Sequence, residues 1–374
     1  PGNKPMTRES DTSLAGARMR GVIPHVPDIA DAALGAALQH RLDQKTKPLG
    51  SLGRLEALAR QLGEVLGEPL PQLEQPQLLV FAADHGLARQ GVSAYPSDVT
   101  WQMVENFLAG GAAVSVLARQ HGITLTVIDC GVAHDFASRP ALAPGRAQLL
   151  VRKIAEGTAD SSRQPAMTQA QCLTAITNGR EVVRSLPGNV VLLGEMGIGN
   201  TSAAAMLLAR LTGRDIAACT GAGTGLDAAA LARKIGVLAR VLQHHADAVE
   251  PLAALAAFGG FEIASLVGAV LQAALERRVV LVDGFIVGAA VLVAQALEPA
   301  VLQRCVFAHR SGERGHAWML QYLHVVPLLE LDLRLGEGSG AALAWPLLQS
   351  ASLLLSEMAS FATAGVAVRS GSPP

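Results

Sequence analysis

Residues 189–213 read NVVLLGEMGIGNTSAAAMLLARLTG, and this segment gives the clearest indication of the fold class. Its first part, NVVLL, is a short apolar run of the kind that forms a buried strand. A glycine-rich turn follows, and TSAAAMLLARLTG after it has the composition of a packed helix. A strand, a turn and a helix in this order are typical of a parallel sheet whose crossover connections are helices.

The same unit recurs on both sides of this stretch. Further apolar runs predict strands, and segments of helical pattern separate most of them, although residues 132–164 have no regular pattern. The runs are QLLVFAAD (77–84), ITLTVIDCG (123–131), RVVLVDG (278–284), CVFAHRSGERGH (305–316) and HVVPLLELDLRLGEG (324–338). We therefore expect an α/β fold with a mostly parallel sheet flanked by helices.

Composition excludes several classes of protein. The net charge of the 374 residues is −1, and we find no basic stripe of the kind that binds nucleic acid. The four cysteines are far apart and form no CxxC, so a disulfide framework or structural zinc is not expected and a reducing cytoplasm fits. The most apolar window, residues 279–297, contains Asp283 and Gly284, which favour a strand, a turn and a packed helix over a membrane span.

Two glycine-rich loops precede helices. Residues 194–202 read GEMGIGNTS and residues 220–227 read TGAGTGLD. Backbone N–H groups of such loops approach an anion closely, and the helix N-terminus adds partial positive charge, so both loops suit a phosphate group. Neither loop has the GK[ST] ending of a Walker motif, and a plain tight turn explains the first one equally well.

Charged residues near these loops allow more than one interpretation. Glu195 would repel phosphate, so we expect it to face a ribose hydroxyl or a cationic ring. Arg233 and Lys234, two turns into the helix after the second loop, could contact a phosphate or could be ordinary solvated residues. Glu337, flanked by glycines at the end of a strand-like run, is placed as a catalytic base would be, although a lone loop glutamate in water is as common.

The segment from Asp84 to Met103 offers apolar and aromatic surface to a flat heteroaromatic ligand, including Tyr95 and Trp101. Ordinary core and turn packing accounts for the same composition. His309 and His316 do not favour a metal site, because seven residues with two glycines separate them and no third ligand is evident. Asp84 and His85 do not predict a catalytic dyad, because adjacent residues seldom hydrogen bond productively.

Six segments together resemble one enzyme family. They are KTKPLGSLGRLE (45–56), FAADHG (81–86), GVSAYPSDVT (91–100), GEMGIGNTS (194–202), FGGFEIASLVGA (258–269) and LRLGEGSGAALAWPLL (333–348). In this order, from about Leu42 to Ser360, they are similar to the nicotinate-nucleotide:dimethylbenzimidazole phosphoribosyltransferases. Each motif is modest alone, and the set is specific.

The resemblance implies a Rossmann-like large α/β domain (71–340) and a small helical domain from both chain ends (25–70 and 341–366). The N-terminus lies outside the resemblance, and we expect a disordered extension (1–24) because the first twenty residues are polar and contain Gly and Pro. The resemblance further implies a homodimer with active sites near the interface. The implied substrates are nicotinate mononucleotide and 5,6-dimethylbenzimidazole, with no cofactor, no metal, no nucleic acid and no membrane partner.

The resemblance also implies roles for individual residues. Glu337 corresponds to the general base of the family, and Glu195 is its catalytic companion. The implied phosphate and ribose contacts are Gly194, Met196, Gly197, Ile198, Gly199, Asn200, Gly223 and Lys234, and the implied contacts of the benzimidazole are Asp84, Tyr95, Met103 and Leu335.

Two other functions remain open on the residues alone. A nucleotide-dependent oxidoreductase would need GxGxxG after the first strand and an acidic residue about twenty positions later. FAADHGLARQG does not provide that pattern. A non-catalytic protein that binds phosphosugars would keep the glycine loops and would have no need of Glu337.

Overall fold

The computed structural model describes residues 14–19, 21–136, 147–223 and 225–367. Its main sheet has six strands in the order β3-β2-β1-β4-β5-β6, and every pair of neighbours is parallel. The strands are β1 (Gln77–Ala83), β2 (Thr124–Gly131), β3 (Gln148–Val151), β4 (Val190–Met196), β5 (Val279–Val282) and β6 (Cys305–Phe307). The predicted α/β fold with a parallel sheet is confirmed.

Helices connect most of the consecutive strands and cover both faces of the sheet. They are α1 (Leu14–Met19), α2 (Ala32–Asp43), α3 (Arg54–Leu66), α4 (Val99–Ala109), α5 (Ala113–Gln120), α6 (Gln169–Ser185), α7 (Asn200–Thr212), α8 (Ile216–Cys219), α9 (Ala228–His244), α10 (Pro251–Phe258), α11 (Phe261–Leu275), α12 (Phe285–Leu297), α13 (Arg314–Tyr322), α14 (Ser339–Glu357) and α15 (Phe361–Ala364). Short 3-10 helices span Gly86–Gln90 and Pro299–Arg304. Within the described ranges no helix combines the length and apolarity that crossing a membrane requires.

The core lies in two layers because successive strand residues point to opposite faces. On β4, Val191 and Leu193 join the apolar cluster that contains α6, α7, α11 and α12. Val190 and Leu192 join the cluster on the other face, which contains α3, α4, α5 and α14. Helices on both faces explain why these strands are apolar runs without alternation.

The structure differs from the sequence prediction in two strands. β3 forms within residues 132–164, where the sequence has no regular pattern, because it is a four-residue edge strand, too short to give a clear periodic signal. The run at 324–338 contributes only β8 (Leu329–Glu330). This strand pairs with β7 (His309–Arg310) in a separate two-stranded sheet and does not extend the main one.

The N-terminal prediction needs correction in its second half. Residues 1–13 of the predicted disordered extension (1–24) lie outside the described residues. The described part of the remainder is ordered, since residues 14–19 form α1. Ala17 and Ile23 are buried in the core cluster that contains α6 and α11, which supplies the apolar contact that holds this segment.

Helices α6 and α11 approach each other closely through glycines. A Cβ atom on Gly179 of α6 would overlap the carbonyl oxygen of Ser265, and one on Gly268 of α11 would overlap that of Ile176. Each glycine therefore lets the backbone of the opposite helix come into contact. Helix α11 lies over the sheet, α6 packs on α11, and both helices form part of the larger core cluster.

Replacing Gly179 by alanine should destabilise the protein by about 1–3 kcal/mol or more, because the methyl group has no space at the helix crossing. Gly236→Ala is the matched control. It lies inside helix α9, and the atom nearest its added Cβ is an Arg240 nitrogen at 3.6 Å. That substitution should stabilise the fold by about 0.5–1 kcal/mol. In thermal unfolding, the midpoint of Gly179→Ala should fall below that of the parent, and the midpoint of Gly236→Ala should rise above it. A Gly179→Ala midpoint equal to that of the parent would contradict the close contact between α6 and α11.

The strand order places a crevice at one edge of the sheet. The chain leaves β1 towards β2 and β3 on one side and returns to β4 on the other. In such doubly wound sheets, ligands bind beyond the carboxyl ends of the strands where the order reverses. Here that position lies between Ala83, the last residue of β1, and Met196, the last residue of β4.

Candidate active site

The loops after β1 and β4 are joined at the switch point by a buried threonine. The Thr100 hydroxyl accepts a hydrogen bond from the backbone N–H of Ile198 (3.1 Å) and is hydrogen bonded to the Asp84 carboxyl group. Asp84 also accepts from the N–H of Ala133 (2.8 Å), and burial raises its pKa. The turn after β4 therefore has a fixed position relative to the end of β1.

Glu195 lies on β4 itself and is buried. The side-chain amide of Asn200 donates a hydrogen bond to its Oε2 atom. Burial, together with the carboxyl groups of Asp283, Glu262 and Glu337, raises the pKa of Glu195 to about 8. Four acidic side chains thus share one end of the sheet, which disfavours a bound anion beside Glu195 and favours a cationic group.

Glu337 lies directly against β4. A Cβ atom on Gly194 would come within 2.5 Å of the carbonyl carbon and oxygen of Glu337, so only glycine admits this contact. Gly336 lies over Glu195 in the same way, since an added Cβ would clash with the Oε1 atom of that side chain. The glycines predicted to flank a catalytic base are therefore those that bring it to the switch point.

The Glu337 side chain is 5% exposed, which rules out the alternative of a loop glutamate in water. Its backbone has a φ of +67°, in the left-handed region that non-glycine residues seldom occupy. Burial, together with the Asp283 carboxyl group, raises its pKa to about 7. A group with this pKa exchanges protons readily near neutral pH.

The N-terminus of α7 and Lys234 form the side of the crevice that suits a phosphate. Lys234 Nζ donates a hydrogen bond to the Thr201 hydroxyl (2.8 Å) in the first turn of α7. A Cβ atom on Gly223 would lie 3.5 Å from the same Nζ atom, so the second glycine loop is adjacent. Burial lowers the pKa of Lys234 to about 8, and Glu313 acts in the opposite direction.

The alternative that Arg233 and Lys234 are solvated helix residues holds for Arg233 and is wrong for Lys234. Lys234 is 1% exposed, whereas Arg233 is exposed. Helix α9 turns Lys234 inward because its buried face includes Leu238 and Val241, and Lys234 lies one turn before Leu238. Thr201, which Lys234 contacts, lies in the quoted GEMGIGNTS motif but was not among the predicted site residues.

His85 and Glu262 form a buried pair that the sequence analysis missed. Their Nε2 and Oε1 atoms are 2.6 Å apart, and the two residues are 177 positions apart in sequence. Burial lowers the pKa of His85, but the Glu262 carboxylate outweighs that effect and raises it above the ordinary value. A signal was present, because Glu262 is the only charged residue of helix α11.

Of the four predicted benzimidazole contacts, Asp84 is buried, whereas Tyr95, Met103 and Leu335 are exposed or half-buried. Tyr95 and Leu335 are 51% and 54% exposed, and Met103 is half-buried with its sulfur 3.9 Å from the Asn106 amide nitrogen. Trp101 stacks on His134 with ring centroids 4.6 Å apart. A contact of Tyr95, Met103 or Leu335 with the acceptor base stays a prediction.

His309 and His316 lie next to this site as packed side chains. The Ser311 N–H donates to His316 Nδ1 (2.8 Å), and burial lowers the pKa of His316 to about 3. Within the described ranges, no group of three or more His, Cys, Asp or Glu side chains could hold a metal ion. The four cysteines are buried and free.

A doubly wound sheet with buried carboxylates at its switch point, next to a helix N-terminus and a buried lysine, defines an α/β enzyme that acts on a phosphorylated substrate. The family model described as phosphoribosyltransferase (DBI_PRT) matches residues 28–366. The chain belongs to this phosphoribosyltransferase family, as its motifs predicted.

Named relatives agree with this assignment. Over 344 residues the chain is 70% identical to the nicotinate-nucleotide–dimethylbenzimidazole phosphoribosyltransferase of Variovorax paradoxus, covering 92% of this chain and 97% of that protein. It is 56% identical over 341 residues to the enzyme of that name from Aromatoleum aromaticum, covering 90% and 97%. A crystal structure of CobT from Thermus thermophilus has a TM-score of 0.84 and 40% identity, covering 90% of this chain and 99% of that chain.

Proposed function

We propose that this protein transfers the 5-phosphoribosyl group of nicotinate mononucleotide to 5,6-dimethylbenzimidazole, releasing nicotinate and forming α-ribazole 5′-phosphate. One observation supports this most directly. Glu337 is buried against Gly194 and beside Glu195, and the turn that follows these two β4 residues leads into the N-terminus of α7. The proton acceptor therefore lies against one end of a short segment whose other end suits a phosphate.

The leaving group needs little help from the enzyme. In nicotinate mononucleotide the anomeric carbon is bonded to a positively charged pyridinium nitrogen, and departure restores a neutral aromatic ring. The acidic crevice formed by Glu195, Glu262, Asp283 and Glu337 stabilises positive charge on the ring and on the oxocarbenium-like ribose. This is the cationic ring that we assign to Glu195.

The acceptor requires a base. A neutral benzimidazole attacks through one ring nitrogen and becomes cationic, so a carboxylate near the other nitrogen takes the N–H proton as the bond forms. Glu337, whose pKa burial raises to about 7, is the group that we assign to this step. The carboxyl group of Glu337 gains the proton and the new C–N bond replaces the bond to nicotinate.

Inversion at the anomeric carbon requires acceptor and leaving group on opposite faces of the ribose. The α7 N-terminus, Lys234 and Gly223 would hold the phosphate while the ribose reaches towards Glu337, which fixes the attack geometry. We assign Gly194, Met196, Gly197, Ile198, Gly199 and Asn200 to the same phosphate and ribose subsite, and Asp84, Tyr95, Met103 and Leu335 to the base subsite.

Two further features belong to the proposal. A homodimer would cover the exposed side chains of Tyr95 and Leu335, and a cytoplasmic location suits the four free cysteines. The division into a large domain and a small helical domain is supported by the antiparallel bridge between Lys45 and Ser360, where the two chain ends meet.

Product formation tests the proposal against both alternatives. The purified protein is incubated with nicotinate mononucleotide and dimethylbenzimidazole, and α-ribazole 5′-phosphate is identified by chromatography and mass spectrometry. Binding of nicotinate mononucleotide without product would indicate a phosphosugar-binding protein. Dependence on a redox cofactor would indicate an oxidoreductase.

The rate of transfer should rise with pH through about 7, because Glu337 accepts a proton only when ionised and its pKa is about 7. At pH 6 about a tenth of this carboxyl group is ionised, so kcat/KM should be about tenfold below its plateau. The measurement is kcat/KM across neutral pH at constant ionic strength, with the free benzimidazole titrated separately. A flat profile would remove Glu337 from the base role.

A further inference from the structure

We propose that Asp283 is the positioning residue of the general base: it holds the turn that carries Glu337 by two backbone hydrogen bonds and places a fixed carboxylate behind it. Asp283 follows β5 and is 1% exposed. It was absent from the predicted site, although it is the only charged residue in the apolar window 279–297. The inference rests on the proposed function, in which Glu337 is the general base.

The hydrogen bonds join the end of β5 to the start of α14. The N–H of Gly338 donates to Asp283 Oδ2 (3.1 Å), and the N–H of Ala341 donates to Asp283 Oδ1 (3.0 Å). These donors belong to the unsatisfied N–H groups at the beginning of a helix, and Gly338 offers them no side-chain cap. Asp283 therefore replaces the missing cap from a distant part of the chain.

Gly340 allows this contact to form. A Cβ atom at Gly340 would lie 2.7 Å from Asp283 Oδ1, and it would also clash with the His309 ring. Any larger residue there would push the first turn of α14 away from β5. Glu337, one residue before the first hydrogen-bonded N–H, would move with that turn.

Acidic groups collect at the end of β4 that Glu337 contacts. Glu337, Glu262 of α11 and Asp283 after β5 all raise the pKa of Glu195. His309 of β7 lies on the far side of Asp283, with its Nε2 atom 3.6 Å from Asp283 Oδ1. Asp283 is the charged group that acts on the pKa of Glu337, and it raises that pKa above the effect of burial.

Asp283→Asn removes the charge at nearly constant shape, and its added NH2 group faces a backbone N–H. We expect kcat to fall about 10- to 100-fold, the range for one misplaced charge-assisted hydrogen bond. KM for nicotinate mononucleotide should change less than kcat, because the phosphate subsite lies elsewhere and stays intact. The acidic limb of the pH profile should move down by about one pH unit, because a neighbouring negative charge is gone.

Ser339→Ala is the matched control. The Ser339 hydroxyl donates to the carbonyl of Gly336 (2.7 Å), so its loss loosens the same turn without changing any charge. It should leave the acidic limb in place. An equal displacement in Ser339→Ala, or none in Asp283→Asn, would overturn the proposal.

A direct titration separates this inference from the proposed reaction. The carboxyl carbon of Glu337 is followed by NMR in protein labelled with ¹³C-glutamate, and its signal is assigned by its absence in Glu337→Gln. A lower Glu337 pKa in Asp283→Asn than in the parent supports the inference even if no product forms. An unchanged pKa overturns it even if transfer is fast. If Asp283→Asn fails to fold by thermal melt, Asp283→Ser, which keeps one accepting oxygen, takes its place in both experiments.

Discussion

Glu337→Gln should lower kcat by about 10²–10⁴-fold, the typical contribution of a positioned general base. The amide keeps the size of the side chain but cannot take the N–H proton of the benzimidazole. Glu337 is 5% exposed, and burial raises its pKa to about 7, which suits proton transfer near neutral pH. Initial rates at saturating concentrations of both substrates measure the effect.

The fold of this variant should be intact, because the contact between the 336–338 turn and β4 is made by backbone and glycines. Glu357→Gln, the same change at the exposed far end of α14, is the control and should have the parent rate. Near-normal turnover by Glu337→Gln, with a parent-like thermal unfolding midpoint, would assign the proton transfer to another group.

The parallel sheet could be predicted from sequence because buried parallel strands carry a strong local signal. Runs such as NVVLL are apolar without alternation, and a glycine turn and a helix follow them. β3 lacks that signal, since Gln148–Val151 is a four-residue edge strand. The order of the strands is a property of long-range pairing, and no local pattern specified it.

The two glycine loops and Glu337 could be predicted for a related reason. Positions 194 and 336 require glycine because another chain segment approaches each of them closely. This requirement makes the composition of both loops unusual. Sequence could not tell which segment makes the approach. In the structure each glycine accommodates the other loop, which brings Glu195 and Glu337 together.

His85, Glu262 and Asp283 were beyond the sequence analysis because their partners are distant in the chain. His85 pairs with Glu262 across 177 positions, and Asp283 binds backbone groups 55 and 58 residues away. The useful local signal was a lone charge in an apolar element. Burying such a charge without a partner is costly, so its presence indicates a partner elsewhere.

Lys234→Met should raise KM for nicotinate mononucleotide by about 10²–10³-fold, because a buried cation that faces a phosphate is lost. Lys234 is 1% exposed and reaches the first turn of α7 through Thr201. Burial raises the pKa of Glu313, and Lys234 lowers it. Removing Lys234 therefore also leaves this carboxyl group without its neighbouring cation near the incoming phosphate. The effect on kcat should be smaller, because Glu337 and the ribose geometry are retained once substrate is bound.

Two comparisons make the Lys234 prediction specific. Arg233→Met, at the exposed neighbouring position, should leave KM unchanged. Nicotinate riboside lacks the phosphate, so the parent and Lys234→Met should use it equally poorly. In the parent, KM for nicotinate mononucleotide should rise as the pH passes about 8, since Lys234 has a pKa of about 8 in the free protein and loses its charge above it. If Lys234→Met impairs the use of the riboside as much as that of the mononucleotide, the lysine supports the fold of the site and does not bind the phosphate.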